Sequence, residues 1–191
     1  MNKIKYGLSN VHYAPITTLG DGLASTIFAT PVHIPGGVSL SISPVGDTAS
    51  FFADNIEYFT SVVNNGYDGT VEIALVPESF ETDVLGAEIS TTDKVMTENS
   101  NVLAKPCALL FEFEGDVKKT RHVLYNVNCS RPNIEGNTKS TNIEAKTDTL
   151  NIKVRPLADG AVKAKTSDGT TQAAYDGWYA KVWVKDSGAG V

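Results

Sequence analysis

Glu112 and Glu114 stand two residues apart in the run Leu109-Leu110-Phe111-Glu112-Phe113-Glu114. In a strand, that spacing puts both carboxylates on one face. A carboxylate pair is the equipment of glycoside hydrolysis, but that chemistry needs its two groups on opposite sides of a cleft. Neighbours along one strand make no cleft, so a solvated acidic face is the default reading. Glu72 adds another acid on a polar strand face, and its side relative to Glu112 stays open at this level. The histidines are His12, His33 and His122, and none has a second ligand-type residue at helical or zinc-knuckle spacing. No Gly-x-Ser-x-Gly turn offers a strained serine nucleophile. Gly20-Asp21-Gly22 lacks the Gly-Lys continuation of a phosphate-cradling loop. Thr166-Ser167-Asp168-Gly169-Thr170 opens like a calcium loop, yet the later bidentate Glu is missing. With no nucleophile, base and orienting group converging, the chain is expected to be no enzyme and to need neither metal nor cofactor.

Composition narrows the classes further. At 191 residues the chain suits one domain with a real core, and a hydrophobic share of 41% is ordinary for a globular protein. The net charge of −6 and the lack of any Lys/Arg-rich run argue against a free-standing nucleic-acid binder. No run of about 18 apolar residues is present to span a membrane. Lys3 and Lys5 are followed by polar Ser9, Asn10 and His12, so a secretory leader is not expected, and the Asn128-Cys129-Ser130 sequon carries no weight. Cys107 and Cys129 sit in apolar, strand-like settings and are read as reduced core thiols.

The elements that must position these residues are mostly short strands. Period-two alternation recurs over Val38–Ser43, Tyr58–Val63, Val71–Val76, Leu109–Glu114, His122–Val127 and Leu150–Arg155. Turn residues separate them at Pro35-Gly36-Gly37, Asn64 to Gly69, Glu114-Gly115-Asp116 and Ala158-Asp159-Gly160. The Glu114–Asp116 turn is expected to join the Leu109 and Val123 strands as a hairpin. The Asp159-Gly160 turn is expected to do the same for the Leu150 strand and Ala161–Lys165. The Glu57–Val63 strand is expected to take Thr70–Val76 as its partner. The sum is a mainly β fold, an antiparallel sandwich or partly closed barrel.

One short flanking helix is expected over Pro77–Gly86: Pro at its start, acids in its first turn, Phe80 and Val84 on one face, and Gly86 as the stop. Tyr175–Val184 fits either a helix or a strand. Trp178 and Trp183 near it are expected to pack in the core. Residues 13–30, 89–105 and 131–146 read as long loops or arms on a single 1–191 domain, with 186–191 frayed.

Several blocks in order carry a resemblance: Lys5-Tyr6-Gly7-Leu8-Ser9-Asn10-Val11-His12-Tyr13, Ile34-Pro35-Gly36-Gly37-Val38-Ser39-Leu40, Ala53-Asp54-Asn55, Gly66-Tyr67-Asp68-Gly69, Val84-Leu85-Gly86, Ala108 to Phe113, Leu124-Tyr125-Asn126, Arg131-Pro132 and Asp159-Gly160. Together they resemble the major tail (tail tube) proteins of siphophages, of the type found in phages of Gram-positive hosts. The likeness reaches to about residue 165.

That resemblance implies a sandwich or barrel with one flanking helix, shared with the tube proteins of contractile tails and type VI secretion. It implies hexameric rings whose strands join into a lumen wall, stacked through loops and terminal arms. The implied partners are further copies of the chain, a tape-measure protein, a tail terminator and baseplate or initiator proteins. DNA would pass through the lumen without specific binding. The implied location is the virion tail, after assembly in the host cytoplasm. Glu72, Glu112 and Glu114 become candidates for an acidic lumen face, since repelled phosphate gains nothing by sticking. Thr91, Asp93, Lys94, Glu98 and Asn101 become candidates for an inter-ring arm that orders on contact. The competing reading is a non-enzymatic β-sandwich binding module, such as a capsid decoration or carbohydrate-binding protein.

Overall fold

The computed structural model describes residues 6–115, 118–136, 138 and 146–185. The fold is mainly β, built on a large antiparallel sheet. In chain order the strands are β1 Tyr6–Thr18, β2 Ile27–Phe28, β3 Val32–His33, β4 Gly37–Pro44, β5 Thr48–Ala53, β6 Ile56–Val62 and β7 Tyr67–Ile73. They continue with β8 Glu88–Ile89, β9 Met96–Thr97, β10 Cys107–Glu114, β11 Thr120–Cys129, β12 Asp148–Val154 and β13 Lys163–Lys165. Among the described residues the main sheet runs β2-β1-β10-β11-β12-β7-β4, with β3 on β1 and β13 on β11.

The sheet curls nearly closed. β3 pairs with β1, yet β4 begins only a few residues later and pairs with β7 at the far end. Gly37 permits this approach: a Cβ there would lie 2.8 Å from Val11 Cγ2. Curling lets odd-numbered residues of β1, β7 and β10 meet even-numbered residues of β12 in one interior. Val11, Tyr13, Val71, Ile73, Cys107, Leu109, Phe111, Leu150 and Ile152 are all buried there. Both cysteines are buried and unpaired.

The expected helix forms as an α-turn, Glu78–Phe80, running on as a π-turn, Glu81–Leu85, and it stops at Gly86 with φ 78°. Phe80, Val84 and Leu85 pack into the interior. Phe80 meets Tyr13 edge-on at 5.0 Å, and Tyr13 donates a hydrogen bond to Asp83 Oδ2 at 3.0 Å.

A second helical segment settles Tyr175–Val184. Gln172–Asp176 is α (α2), capped by the Thr171 side chain, and Gly177–Tyr179 is a 3-10 turn. The segment lies on the outer face of β1, β10 and β11, where Trp178 and Val182 cover Ala14, Ala108, Leu110, Val123 and Tyr125. Trp183 stacks beside Trp178 at 6.2 Å. The sheet is therefore covered on both faces at β1, β10 and β11, which is why Cys107–Glu112 is buried without alternation.

Three sequence expectations are corrected. Residues 13–30 are no arm: their first part is the inner strand β1, with Tyr13 and Ala14 fully buried. Left-handed Gly7 and Asn10 and the register shifts against β10 break the period of this strand and disguise it. β13 does not pair with β12. Both pair with the same edge of β11, β12 at Val127–Cys129 and β13 at His122–Leu124, as two parts of one strand line. The Asp159-Gly160 turn loops out between them, and Asp159 Oδ2 accepts from the Leu23 amide at 2.7 Å. Finally, β6 pairs with β5 and not with Thr70–Val76. The reason lies at Asp54-Asn55, whose φ values of 51° and 61° form the tight hairpin turn that matches strand twist.

Gly69 is fixed by packing. A Cβ there would fall 1.9 Å from the Ser41 carbonyl oxygen. Gly69→Ala is expected to disrupt the β4–β7 ladder, costing about 3 kcal/mol as an overpacked site. At about 2–4 °C per kcal/mol for a chain of this size, thermal unfolding should show a loss of roughly 6–12 °C.

Candidate assembly surface

β4 and β7 do not end together at the barrel rim. Their chains run on as β5 and β6, bridged by exchanged backbone bonds between Val45 and the Asn65–Gly66 stretch (2.7 and 2.9 Å). The result is a two-stranded ribbon that pairs with no other strand among the described residues. Six residues of β5 extend about 20 Å at strand rise.

The ribbon's faces differ. Its register pairs Ala49 with Ser61, Phe51 with Phe59 and Ala53 with Ile56, and these share one apolar face. A one-residue shift at Tyr58 then puts Glu57 on the other face, opposite Phe52. There Glu57 accepts hydrogen bonds from Ser50 and from Thr60 (2.6 Å), and these two donors hold its carboxyl below the ordinary value. Phe51 is 60% exposed, Phe59 59%, Ile56 61% and Tyr58 72%. A two-stranded ribbon alone is marginally stable in water, and contiguous exposed apolar surface marks an interaction site.

The proposed lumen acids separate. Glu72 on β7 and Glu112 on β10 both point away from the interior cluster, but β12 and β11 stand between their strands, a lateral gap of about 14 Å. Glu72 accepts from Thr147 Oγ1 (2.6 Å) and Ser39 Oγ (2.9 Å), which lower its pKa in that order. Glu114 is half-exposed and pairs with Lys119 at 2.9 Å.

Glu112 is 1% exposed and lies under the C-terminal segment, which corrects its placement on a solvated face. Asn10 Nδ2 (2.7 Å), Arg121 Nε (3.1 Å), Lys119 Nζ (3.2 Å), Tyr179 OH (3.2 Å) and Ser9 Oγ (3.4 Å) all donate to it. Burial pushes its carboxyl up. Lys119, Asn10 and Arg121 outweigh that and hold it below the ordinary value. Arg121 also stacks on Tyr175 at 3.8 Å, and Tyr175 donates to the Lys119 carbonyl at 3.1 Å. Glu112 thus ties β1, β10 and β11 to the C-terminal segment and is closed to any substrate.

The proposed arm is more structured than a loose loop. β8 and β9 form a small hairpin around Ser90–Val95, with Lys94 left-handed at φ 57°. Thr91, Asp93, Lys94, Glu98 and Asn101 are all exposed along it. Glu98 Oε1 lies 2.6 Å from Arg131 Nε, an ion pair off the line of a hydrogen bond. Of the other arm, residues 131–136 run without regular structure, and residues 137 and 139–145 lie outside the described set.

No family model and no curated protein sequence matches this chain. Among the described residues, no three His, Cys, Asp or Glu side chains cluster to hold a metal ion, and no helix is long and apolar enough to cross a membrane. The ribbon's aromatics are the functional candidates that sequence reasoning passed over. Their signal was the doublets Phe51-Phe52, Tyr58-Phe59 and Val62-Val63, which put apolar groups on both faces. A half-buried strand shows no such pattern.

Proposed function

We propose that this protein is a structural subunit that assembles with copies of itself into stacked hexameric rings, the tube of a siphophage tail. The observation that carries the reading is the β5–β6 ribbon, an apolar projection that the subunit itself leaves uncovered. The block resemblance of the sequence supports the same reading, as does the nearly closed antiparallel barrel. Glu72 and Glu114 would then stand on the outer face of the sheet, where a lumen lined by acid lets DNA slide. A tape-measure protein, a terminator and initiator proteins would be the other partners.

Negative-stain microscopy of the concentrated protein tests this. Six-fold rings or tubes are expected, whereas dispersed single particles at every concentration would favour an isolated binding module. A second measurement addresses the lumen. Glu72→Gln with Glu114→Gln is expected to leave the thermal midpoint within about 2 °C, because both side chains are only partly buried and Gln keeps an oxygen to accept from Thr147 and Ser39. In reconstituted tails the same change should slow DNA ejection; unchanged ejection removes the lumen assignment.

A further inference from the structure

The two parts of the chain carry opposite charge. From Tyr6 to Asp93 there are 11 Asp or Glu and no Lys or Arg; all but two of the 16 basic residues follow Asp93. The ribbon belongs to the acidic part and bears Asp47, Asp54 and Glu57 beside its aromatics. The barrel also offers an open groove of about 260 Å³ between Thr26–Thr30 and Ala180–Val184. Ile27, Phe28, Val182 and Val184 give it an apolar lining, and Lys181 is an exposed cation on its rim. Lys181 makes no ion pair among the described residues. β2, which forms one wall, is a two-residue edge strand bonded to β1 alone. The ribbon of the same chain does not enter this groove.

We propose that the apolar face of the ribbon, Phe51, Phe59 and Ile56, seats in this groove on a second copy of the chain, with Asp54 at the ribbon's turn against Lys181. The inference rests on the self-assembling reading and names the receiving surface. Charge selects the occupant. Two ribbons placed face to face would set the turn acid Asp54 and the base acid Asp47 against like charge, which is unfavourable, whereas ribbon against groove sets Asp54 against Lys181. The chemistry agrees, since aromatic anchors favour apolar pockets with a charged rim. Ribbon and groove are different patches, so the contact is head-to-tail. Such contacts close into rings or continue as filaments, and a symmetric dimer does not result.

The test mixes two cysteine variants, Ala49→Cys, on the ribbon's apolar face beside the anchors, and Val184→Cys, with distinguishable tags, and oxidises them with copper–phenanthroline. A disulfide-linked heterodimer should form in the mixture and in neither variant alone. A dimer of Ala49→Cys alone would show ribbon-on-ribbon contact and overturn the proposal. No cross-link while the wild type still assembles would overturn the groove and leave the self-assembling reading standing. A wild type that never associates would overturn both. Lys181→Glu gives an independent readout on an exposed side chain. It should weaken association roughly fivefold, the worth of one rim ion pair, with a smaller effect at high salt. Adding Asp54→Asn, which keeps a residue that tolerates the left-handed turn, should recover part of that loss, and no effect of Lys181→Glu would count against the contact.

Discussion

Replacing Phe51 and Phe59 together by Ser is expected to leave a folded monomer that no longer associates. Both rings are more than half exposed, so their removal leaves no cavity and little buried area is lost. The thermal midpoint should stay within about 2 °C of wild type, as for surface changes away from special features. Buried at an interface, each aromatic anchor contributes about 2 kcal/mol or more, and the pair about 4 kcal/mol. At 1.4 kcal/mol per decade that is roughly a thousandfold in association constant. Sedimentation velocity over a concentration series reads it directly. Assembly at wild-type concentrations would mean that the ribbon is not the contact surface.

Glu112→Ala should act in the opposite way, on stability and not on surface. It removes the acceptor of five donors and leaves the largely buried Arg121 without its carboxylate. Breaking a buried pair by deleting one partner costs about 3–5 kcal/mol, which at 2–4 °C per kcal/mol lowers the midpoint by roughly 10 °C. The loss should appear first as faster amide exchange over Gln172–Tyr179, which Glu112 holds through Tyr179 and Arg121. A stability change confined to the rest of the barrel would contradict this linkage.

The pH dependence follows with a definite sign. The folded carboxyl of Glu112 titrates below its unfolded value. Its contribution is therefore fully present above the unfolded pKa, near 4.5, and is lost as pH falls through the folded pKa. Acid unfolding of Glu112→Ala should accordingly be shallower than that of wild type in this range.

Much of the fold is legible in the sequence because alternation, turn residues and caps are local. Leu109–Glu114 and His122–Val127 are read as paired strands, and they pair. Pro77–Gly86 is read as a short helix, and its Phe80 and Val84 face the interior. What local pattern cannot carry is cover supplied from far away. Glu112 looks solvated because it follows Phe111 and precedes Phe113, but the segment that buries it begins about sixty residues later. β1 looks like a loop because Gly7 and Asn10 take left-handed conformations that reset its phase. The pairing of β12 and β13 is misread for a similar reason: a turn after Val154 signals a reversal, and only the shared edge of β11 shows the strand line resuming. The ribbon is the converse case. The alternation over Tyr58–Val63 and the turn residues Asn64 to Gly69 are read from the sequence, and Asp54, Asn55 and Gly66 take positive φ on either side of that strand. Its apolar doublets show their purpose only when the barrel is seen to leave them uncovered.

Native mass spectrometry of the wild-type protein over a rising concentration series tests the central claim most directly. The account predicts a species at six chain masses, and multiples of it, growing at the expense of monomer and absent from the Phe51→Ser/Phe59→Ser variant. Monomers and symmetric dimers alone, at concentrations where the protein stays folded, would contradict it.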